Sequence, residues 1–145
     1  MVDIREISAD ETYEIRLEVL RKGIDLPADF SGDFDIDTFH LGVFEDTDLM
    51  GICSFMKTEN PIFETAQYQL RGMATKLEVR GKGYGKQMLL KAFDILKEKE
   101  VQILWCNARE VAFSFYLKLG FIKQGNIFDM PKIGKHYCLF KKIEH

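Results

Sequence analysis

The stretch VRGKGYGKQ, residues 79–87, places three glycines and three cations in nine positions of a chain whose net charge is -3. The residues before it alternate like a strand and those after it repeat like a helix, so the glycines lie at a strand-to-helix turn. The start of a helix exposes unpaired backbone N–H groups, and the helix dipole favours negative charge there. Glycine lets oxygen atoms approach the main chain and permits positive φ angles. The stretch therefore predicts a site for phosphate groups.

The glycine spacing excludes two common phosphate sites. A Walker loop requires glycine where Arg80 stands and Ser or Thr where Gln87 stands. A dinucleotide-binding turn requires a third glycine, and Lys86 and Met88 occupy the two positions where it would fall. A purely structural bend remains open, but three alternating glycines with neighbouring cations exceed what a bend requires.

Two segments resemble one family. RGKGYG, residues 80–85, resembles the pyrophosphate loop of the GNAT superfamily of acyl-CoA-dependent N-acyltransferases. AFSFYLKLGF, residues 112–121, is similar to that family's A-x-x-F-Y-x-K-x-G-F signature, with one strand-like run between the two segments. The closing residues 127–142 resemble a small bacterial subset related to ElaA. The resemblance covers the chain, so we expect a single N-acetyltransferase domain at residues 1–145.

This resemblance implies acetyl-CoA as co-substrate and direct transfer of the acetyl group to a primary amine. In the family, loop amides hold the pyrophosphate of coenzyme A, and the pantetheine arm pairs with the preceding strand of a splayed sheet. By this resemblance the cofactor-binding residues are Met73, Ala74, Thr75, Gly81, Lys82, Gly83, Tyr84, Gly85 and Lys86. A non-catalytic acyl-CoA-binding sensor of the same fold and a scaffold that binds a phosphate group remain alternatives.

Tyr116 matches the tyrosine that protonates the departing thiolate in many members of the family. A phenol has a pKa of about 10 and a thiol of about 8.5, so a neutral tyrosine can donate a hydrogen bond or a proton to a thiolate sulfur. A core aromatic beside Phe113 and Phe115 is the structural alternative. The family often has asparagine seven positions before this tyrosine, but here Arg109 stands there and Asn107 lies two positions further upstream. The sequence leaves open which of these two residues contacts the cofactor.

The attacking amine must lose a proton, and several side chains could accept it. His136 is the better candidate for the substrate end, because the C-terminal hairpin commonly borders it in this family. His40 and a carboxylate acting through water are the others, and a histidine with a purely structural role remains an alternative. The carboxylates that the sequence does not rank are Glu45, Glu64 and Glu78.

The acidic segment DLPADFSGDFDID, residues 25–37, corresponds to the family loop that helps to form the acceptor pocket. Its five aspartates predict a cationic amine as acceptor, with a merely solvated connection as the alternative. The acceptor is otherwise a small-molecule or peptide amine. Because homodimers are common among such folds, the resemblance also leaves a homodimer open as an assembly.

Composition excludes several other classes. Most acidic side chains lie in residues 1–66, and the basic excess of residues 67–145 gathers near the glycine turn, not in a broad stripe, so we expect no nucleic-acid partner. The longest uncharged run, residues 49–56, is too short for a membrane helix, and the acidic start of the chain is unlike a signal peptide. We therefore expect a cytoplasmic protein. Cys53, Cys106 and Cys138 each sit in an apolar run, which predicts reduced core thiols and no metal site.

Periodicity predicts the element order β-α-β-β-β-α-β-α-β-β, which gives an α/β (α+β) domain of three layers with one mixed central sheet flanked by helices. Ser8, with Glu11 three residues later, predicts the first helix start, and Gly23 its end. In the last helix the pattern places Val111 with Phe115 and Tyr116 on the buried face. This order and architecture are those of the GNAT fold.

Overall fold

The computed structural model describes residues 1–145 as a seven-stranded sheet with helices on both faces. The strands are β1 Val2–Ile7, β2 Phe39–Glu45, β3 Asp48–Met56, β4 Gln67–Thr75, β5 Ile103–Arg109, β6 Ile122–Met130 and β7 Gly134–Lys142. The helices are α1 Ala9–Ile15, α2 Tyr84–Glu98 and α3 Phe113–Lys118. The sheet order is β1-β2-β3-β4-β5-β7-β6, and β4 with β5 is the parallel pair. The predicted α/β class, single mixed sheet and element order are confirmed.

Alternation along the strands separates two apolar faces. One face packs against α2, whose fully buried side chains are Met88, Leu89, Ala92 and Leu96. The opposite face packs against α1, where Ile15 contacts a cluster that includes Ile7 and Ile52. Strand β5 lies inside the sheet, as its continuous apolar run predicts. None of the helices is both long enough and apolar enough to cross a membrane.

Strands β4 and β5 stay together for only a short distance. They pair from Gln67 with Ile103 to Gln69 with Trp105, and the remainder of β4 has no partner on that side. On its other side, the register between β3 and β4 shifts by one extra residue in β4, beside Gly72, which has φ +64°. A bulge of this kind bends and twists a strand. The carboxyl half of β4 therefore borders a gap within the sheet.

The first helix is shorter than predicted. Glu11 accepts a hydrogen bond from the Ser8 amide at 3.0 Å, so the predicted start is confirmed. After Ile15, however, the chain widens into a π-helical turn, Arg16–Leu20, in which the Arg21 amide donates to the Arg16 carbonyl at 3.0 Å. The wider turn accompanies a buried cation, since the Arg16 side chain is fully enclosed.

A buried polar network surrounds Arg16. Its guanidinium donates to both carboxylate oxygens of Asp33, at 2.8 and 2.9 Å, and to Ser54 Oγ at 2.9 Å. Ser54 Oγ lies 2.6 Å from His40 Nδ1, and His40 Nε2 lies 3.0 Å from the Asp33 carbonyl. A carbonyl only accepts, so His40 Nε2 carries the proton and Nδ1 accepts from Ser54. The network fastens the α1–β2 segment, residues 21–38, to the sheet.

Burial alone would raise the pKa of Asp33, but hydrogen bonds from Arg16 and from the Phe30 amide outweigh it and hold the pKa below its ordinary value. The acidic segment is therefore more than a solvated connection, because one of its aspartates is a buried anchor. The other four, Asp25, Asp29, Asp35 and Asp37, are exposed.

Replacing Asp33 with Asn should destabilise the protein by about 3 kcal/mol, because it leaves the Arg16 charge buried without a counter-ion. Urea unfolding at neutral pH measures this, with Asp29→Asn in the same segment as the exposed control. Since the Asp33 pKa is depressed, the carboxylate stabilises the fold above pH ~4 and loses that effect as pH falls through its folded pKa. The gap between wild type and D33N should narrow in that acid range, and a constant gap would contradict the ion pair.

Candidate active site

The predicted phosphate turn exposes a set of free donors. Helix α2 begins after Gly83, which has φ +81°, and the first helical bond of this turn runs from the Gln87 amide to the Gly83 carbonyl at 3.0 Å. The Lys82 amide is taken, since it donates to the Val79 carbonyl at 3.2 Å. Five backbone amides have no acceptor within the protein: those of Gly81, Gly83, Tyr84, Gly85 and Lys86. Five of the six amides expected to face a phosphate are thus available, and Lys82 differs.

Glu45 at the end of β2 holds this turn in place through two side-chain contacts. The Tyr84 hydroxyl donates to the Glu45 carboxylate, and Lys82 Nζ lies 3.1 Å from Glu45 Oε2. The Tyr84 hydrogen bond first, and then the one from Lys82, hold the pKa of Glu45 below its ordinary value. Glu45 therefore positions the turn and has its carboxylate occupied. Sequence reasoning missed this role because 39 positions separate Glu45 from Tyr84.

The glycines of the turn serve different purposes. A Cβ added to Gly81 or Gly83 would meet no protein atom within 4 Å, and both residues have positive φ. A Cβ on Gly85 would lie 3.1 Å from Phe115 Cζ and 3.7 Å from Met73 Sδ. Gly85 thus allows α2 to start close to α3, whereas the other two leave open space in front of the amides.

A cleft of about 720 Å³ extends from this turn along the unpaired part of β4. We call it the cofactor cleft. Eight of the nine residues that the resemblance assigns to the cofactor line it: Met73, Ala74, Thr75, Gly81, Gly83, Tyr84, Gly85 and Lys86. Lys82 is the exception. The cationic side chains that line the cofactor cleft are Arg80, Lys86, Arg109 and Lys118. The cleft therefore combines amide donors, positive charge and an unpaired strand edge.

A second cleft of about 350 Å³, which we call the acceptor cleft, adjoins the first. The two clefts share five lining residues: Leu20, Met73, Arg109, Val111 and Ala112. Phe30 of the α1–β2 segment and Met130 and Ile133 of the C-terminal hairpin complete its wall. A molecule in one cleft can therefore meet a molecule in the other across Met73.

Tyr116 is a core residue and also lines the acceptor cleft. It is 5% exposed and makes edge-on ring contacts with Phe115 and Phe121 at centroid distances of 5.0 and 5.2 Å. Its hydroxyl has no hydrogen-bond partner within the protein. Burial raises the pKa of Tyr116 well above its ordinary value, so the hydroxyl stays protonated at neutral pH. The two interpretations of this residue are thus compatible.

The structure distinguishes the histidines. His136 lines the acceptor cleft, and its Nδ1 lies 2.8 Å from the Gly134 carbonyl, so Nδ1 carries the proton and Nε2 of the neutral ring can accept one. His40 lines neither cleft, both of its nitrogens are engaged, and burial lowers its pKa. Glu64 and Glu78 are exposed and line neither cleft. Of the candidate bases named from the sequence, only His136 lines one of the two clefts.

The structure corrects the expectation for Val111 and places Arg109 and Asn107 differently. Val111 is 90% exposed and lines both clefts, so its assignment to the buried helix face was wrong. The chain forms a 3-10 turn at Glu110–Ala112 before α3, and this changes the direction of residue 111. Arg109 lines both clefts and donates through Nη2 to the Leu20 carbonyl at 3.0 Å, whereas Asn107 lines only the acceptor cleft.

The acidic segment does not supply the charge of the acceptor cleft. None of its five aspartates lines either cleft. The three cysteines are free and buried, as predicted, and Cys106 contributes to the wall of the acceptor cleft. Burial raises the pKa of its thiol, which makes it unreactive.

Comparison with known proteins identifies the class. The family model of the acetyltransferase (GNAT) family matches residues 2–121, and the chain belongs to this family of acyl-CoA-dependent N-acetyltransferases. An uncharacterized N-acetyltransferase of Bacillus subtilis, YitI, is 38% identical over 145 residues, covering 99% of this chain and 97% of that protein.

Solved structures agree on the fold. The crystal structure of Escherichia coli ElaA superposes with a TM-score of 0.81 at 14% identity, covering 97% of this chain and 99% of that one. The PaiA N-acetyltransferase of Thermoplasma acidophilum, solved in complex with coenzyme A, gives a TM-score of 0.72 at 22% identity, covering 98% and 99%. The predicted family is confirmed.

Gly83→Ala tests the open turn against a matched control. Gly125 in β6 also has positive φ, meets nothing within 4 Å of an added Cβ and lines neither cleft. Both alanine variants should lose about 1 kcal/mol of stability in urea unfolding, because each strains a left-handed residue. Only Gly83→Ala should weaken coenzyme A binding in calorimetry. Equal affinity of the two variants for coenzyme A would indicate that Gly83 serves only to form the bend.

Proposed function

We propose that residues 1–145 act as one N-acetyltransferase domain that moves an acetyl group from acetyl-CoA directly to a primary amine, with no covalent enzyme intermediate. The observation that carries this proposal is the meeting of five free amides at the start of α2 with the unpaired edge of β4. A diphosphate takes such amides, and an extended arm with amide groups pairs with such an edge. Coenzyme A has both parts.

The proposed donors to the diphosphate are the amides of Gly81, Gly83, Tyr84, Gly85 and Lys86. The proposed contacts of the pantetheine arm are Met73, Ala74 and Thr75. Lys82 contributes charge and its link to Glu45, since its amide is already used. This assignment puts the thioester end near Met73, where the two clefts join.

The reaction forms a bond from the amine nitrogen to the acetyl carbon and breaks the bond from that carbon to sulfur. One proton leaves the amine and one reaches the thiolate. In this proposal His136 accepts the first at Nε2, which is free while Nδ1 donates to the Gly134 carbonyl. Tyr116 donates its hydroxyl hydrogen towards sulfur as general acid.

The raised pKa of Tyr116 does not oppose this role. Burial penalises the phenolate because it is an anion, and it penalises a thiolate in the same surroundings for the same reason. The difference in proton affinity between the two groups is therefore smaller than the rise at Tyr116 alone. A neutral hydroxyl without a protein partner is free to turn to the sulfur.

Tyr116→Phe should lower kcat by about 10²-fold or more while leaving the dissociation constant of coenzyme A unchanged, because only the hydroxyl is removed. Free thiol release with acetyl-CoA and pooled primary amines gives the rate, and calorimetry gives the affinity. Tyr137→Phe, outside both clefts, is the control. A parallel loss of rate and affinity would remove Tyr116 from the chemistry. Tight binding without amine-dependent thiol release would point to a non-catalytic binding protein instead.

His136→Gln should lower kcat by about 10²-fold near neutral pH, where the acceptor amine is mostly protonated. The deficit should narrow as pH rises towards the amine pKa of ~10, because a neutral amine no longer needs the base. A kcat profile between these pH values measures this, with His145→Gln outside the clefts as control. A deficit that does not change with pH would contradict the base role.

A further inference from the structure

The acceptor cleft has a one-sided charge. Its charged side chains are Arg21, Arg71 and Arg109, and no carboxylate lines it. None of the three arginines has a carboxylate within ion-pair distance, and the buried Asp33 is engaged by Arg16. Paired surface arginines are ordinary, but three converging ones without counter-ions are costly.

Each of these guanidinium groups is held in place yet keeps free donors. Arg21 Nε donates to the Pro27 carbonyl at 3.1 Å, and Arg109 Nη2 to the Leu20 carbonyl at 3.0 Å. The Arg71 guanidinium carbon lies 4.4 Å from the centroid of the Phe30 ring, and that of Arg21 lies 5.4 Å from it. A guanidinium has five N–H donors, so these contacts orient the groups without using them up.

Mutual repulsion accompanies this arrangement. Burial, and then the charge of Arg16, lower the pKa of Arg71, and burial followed by the charges of Arg109 and Arg16 lowers that of Arg21. Arg16 Nε is buried without an acceptor and lies 3.4 Å from where a Cβ on Gly72 would stand, and Gly72 lines this cleft. The wall thus contains buried positive charge and no carboxylate.

The coenzyme does not account for these charges. Arg21 and Arg71 line the acceptor cleft alone, while the cofactor cleft has its own cations at Arg80, Lys86 and Lys118. The rest of the acceptor cleft is mostly apolar, with Leu20, Phe30 and Ile133 in its wall. A cationic amine, as the acidic segment suggested, would meet repulsion here.

We propose that the acceptor is a small amine that carries a carboxylate and an apolar side chain, and that Arg71 and Arg21 bind this carboxylate. This inference rests on the proposed acetyl transfer and names its substrate class. The planar fork of arginine matches a carboxylate with two parallel hydrogen bonds. The apolar wall takes the side chain, and the amine then faces His136 and the thioester.

The test compares acceptors that differ only by the carboxylate. Acetyl transfer is measured with phenylalanine and 2-phenylethylamine, with spermidine as the cationic arm and phosphoethanolamine as the phosphate arm. Wild type should favour phenylalanine over 2-phenylethylamine by about 10- to 100-fold in kcat/KM. A preference for spermidine or phosphoethanolamine, or equal rates for the matched pair, would overturn the carboxylate assignment.

Arg71→Gln and Arg21→Gln should each raise KM for phenylalanine about tenfold or more, and should raise KM for 2-phenylethylamine much less. Arg71→Lys keeps the charge but loses the fork, and should recover only part of the effect. Arg5→Gln, outside both clefts, is the control. Unchanged phenylalanine kinetics in folded variants would contradict the assignment.

A binding measurement separates this inference from the proposed function. N-acetylphenylalanine, the product analogue, should raise the Tm of wild type and not that of Arg71→Gln. Stabilisation without turnover of any amine would sink the acetyl-transfer proposal and leave the carboxylate site standing. If amines are acetylated with no preference for a carboxylate and N-acetylphenylalanine does not raise the Tm, the acetyl-transfer proposal stands and the carboxylate site is contradicted.

Discussion

Strands β4 and β5 pair over three residues and then part, and the site depends on this separation. Inside a continuous sheet both edges of β4 would be satisfied by neighbouring strands, and no main-chain groups would remain for a ligand. The extra residue beside Gly72 bends β4 as the pairing ends. Helix α2 then starts on one side of the gap, and the α1–β2 segment closes the other.

The two ends of the gap are positive for different physical reasons. At the α2 end, charge comes from uncapped amides and the helix dipole, which suit a compact diphosphate. At the other end, guanidinium groups pack against the Phe30 ring and donate hydrogen bonds to backbone carbonyls. Their planar arrays of N–H donors suit a planar anion. The buried Arg16–Asp33 pair supports this second end, because it holds the segment that carries Phe30.

Local sequence patterns were sufficient to predict the order of the elements, the family and part of the cofactor cleft. Apolar periodicity and continuous apolar runs predicted the strands and helices in their order, because most elements bury one or both faces. The glycine turn and the AFSFYLKLGF segment predicted the family and eight residues that line the cofactor cleft. Long-range contacts were beyond reach: Glu45 under the turn, Asp33 on Arg16, and Val111 turned outward all depend on pairs far apart in the chain or on a local 3-10 turn.

The amino-acid sequence by itself determined the layered fold and the glycine turn that starts α2, since periodicity and glycine spacing are local properties of the chain. The five aspartates of one segment led us to expect a negatively charged wall in the acceptor cleft, but none of them lines it. Only the tertiary structure decided that one of them is buried on Arg16 and the other four face solvent, while arginines from the α1–β2 segment, β4 and β5 line the cleft. Charge in a site depends on which side chains converge there, and convergence is a property of packing.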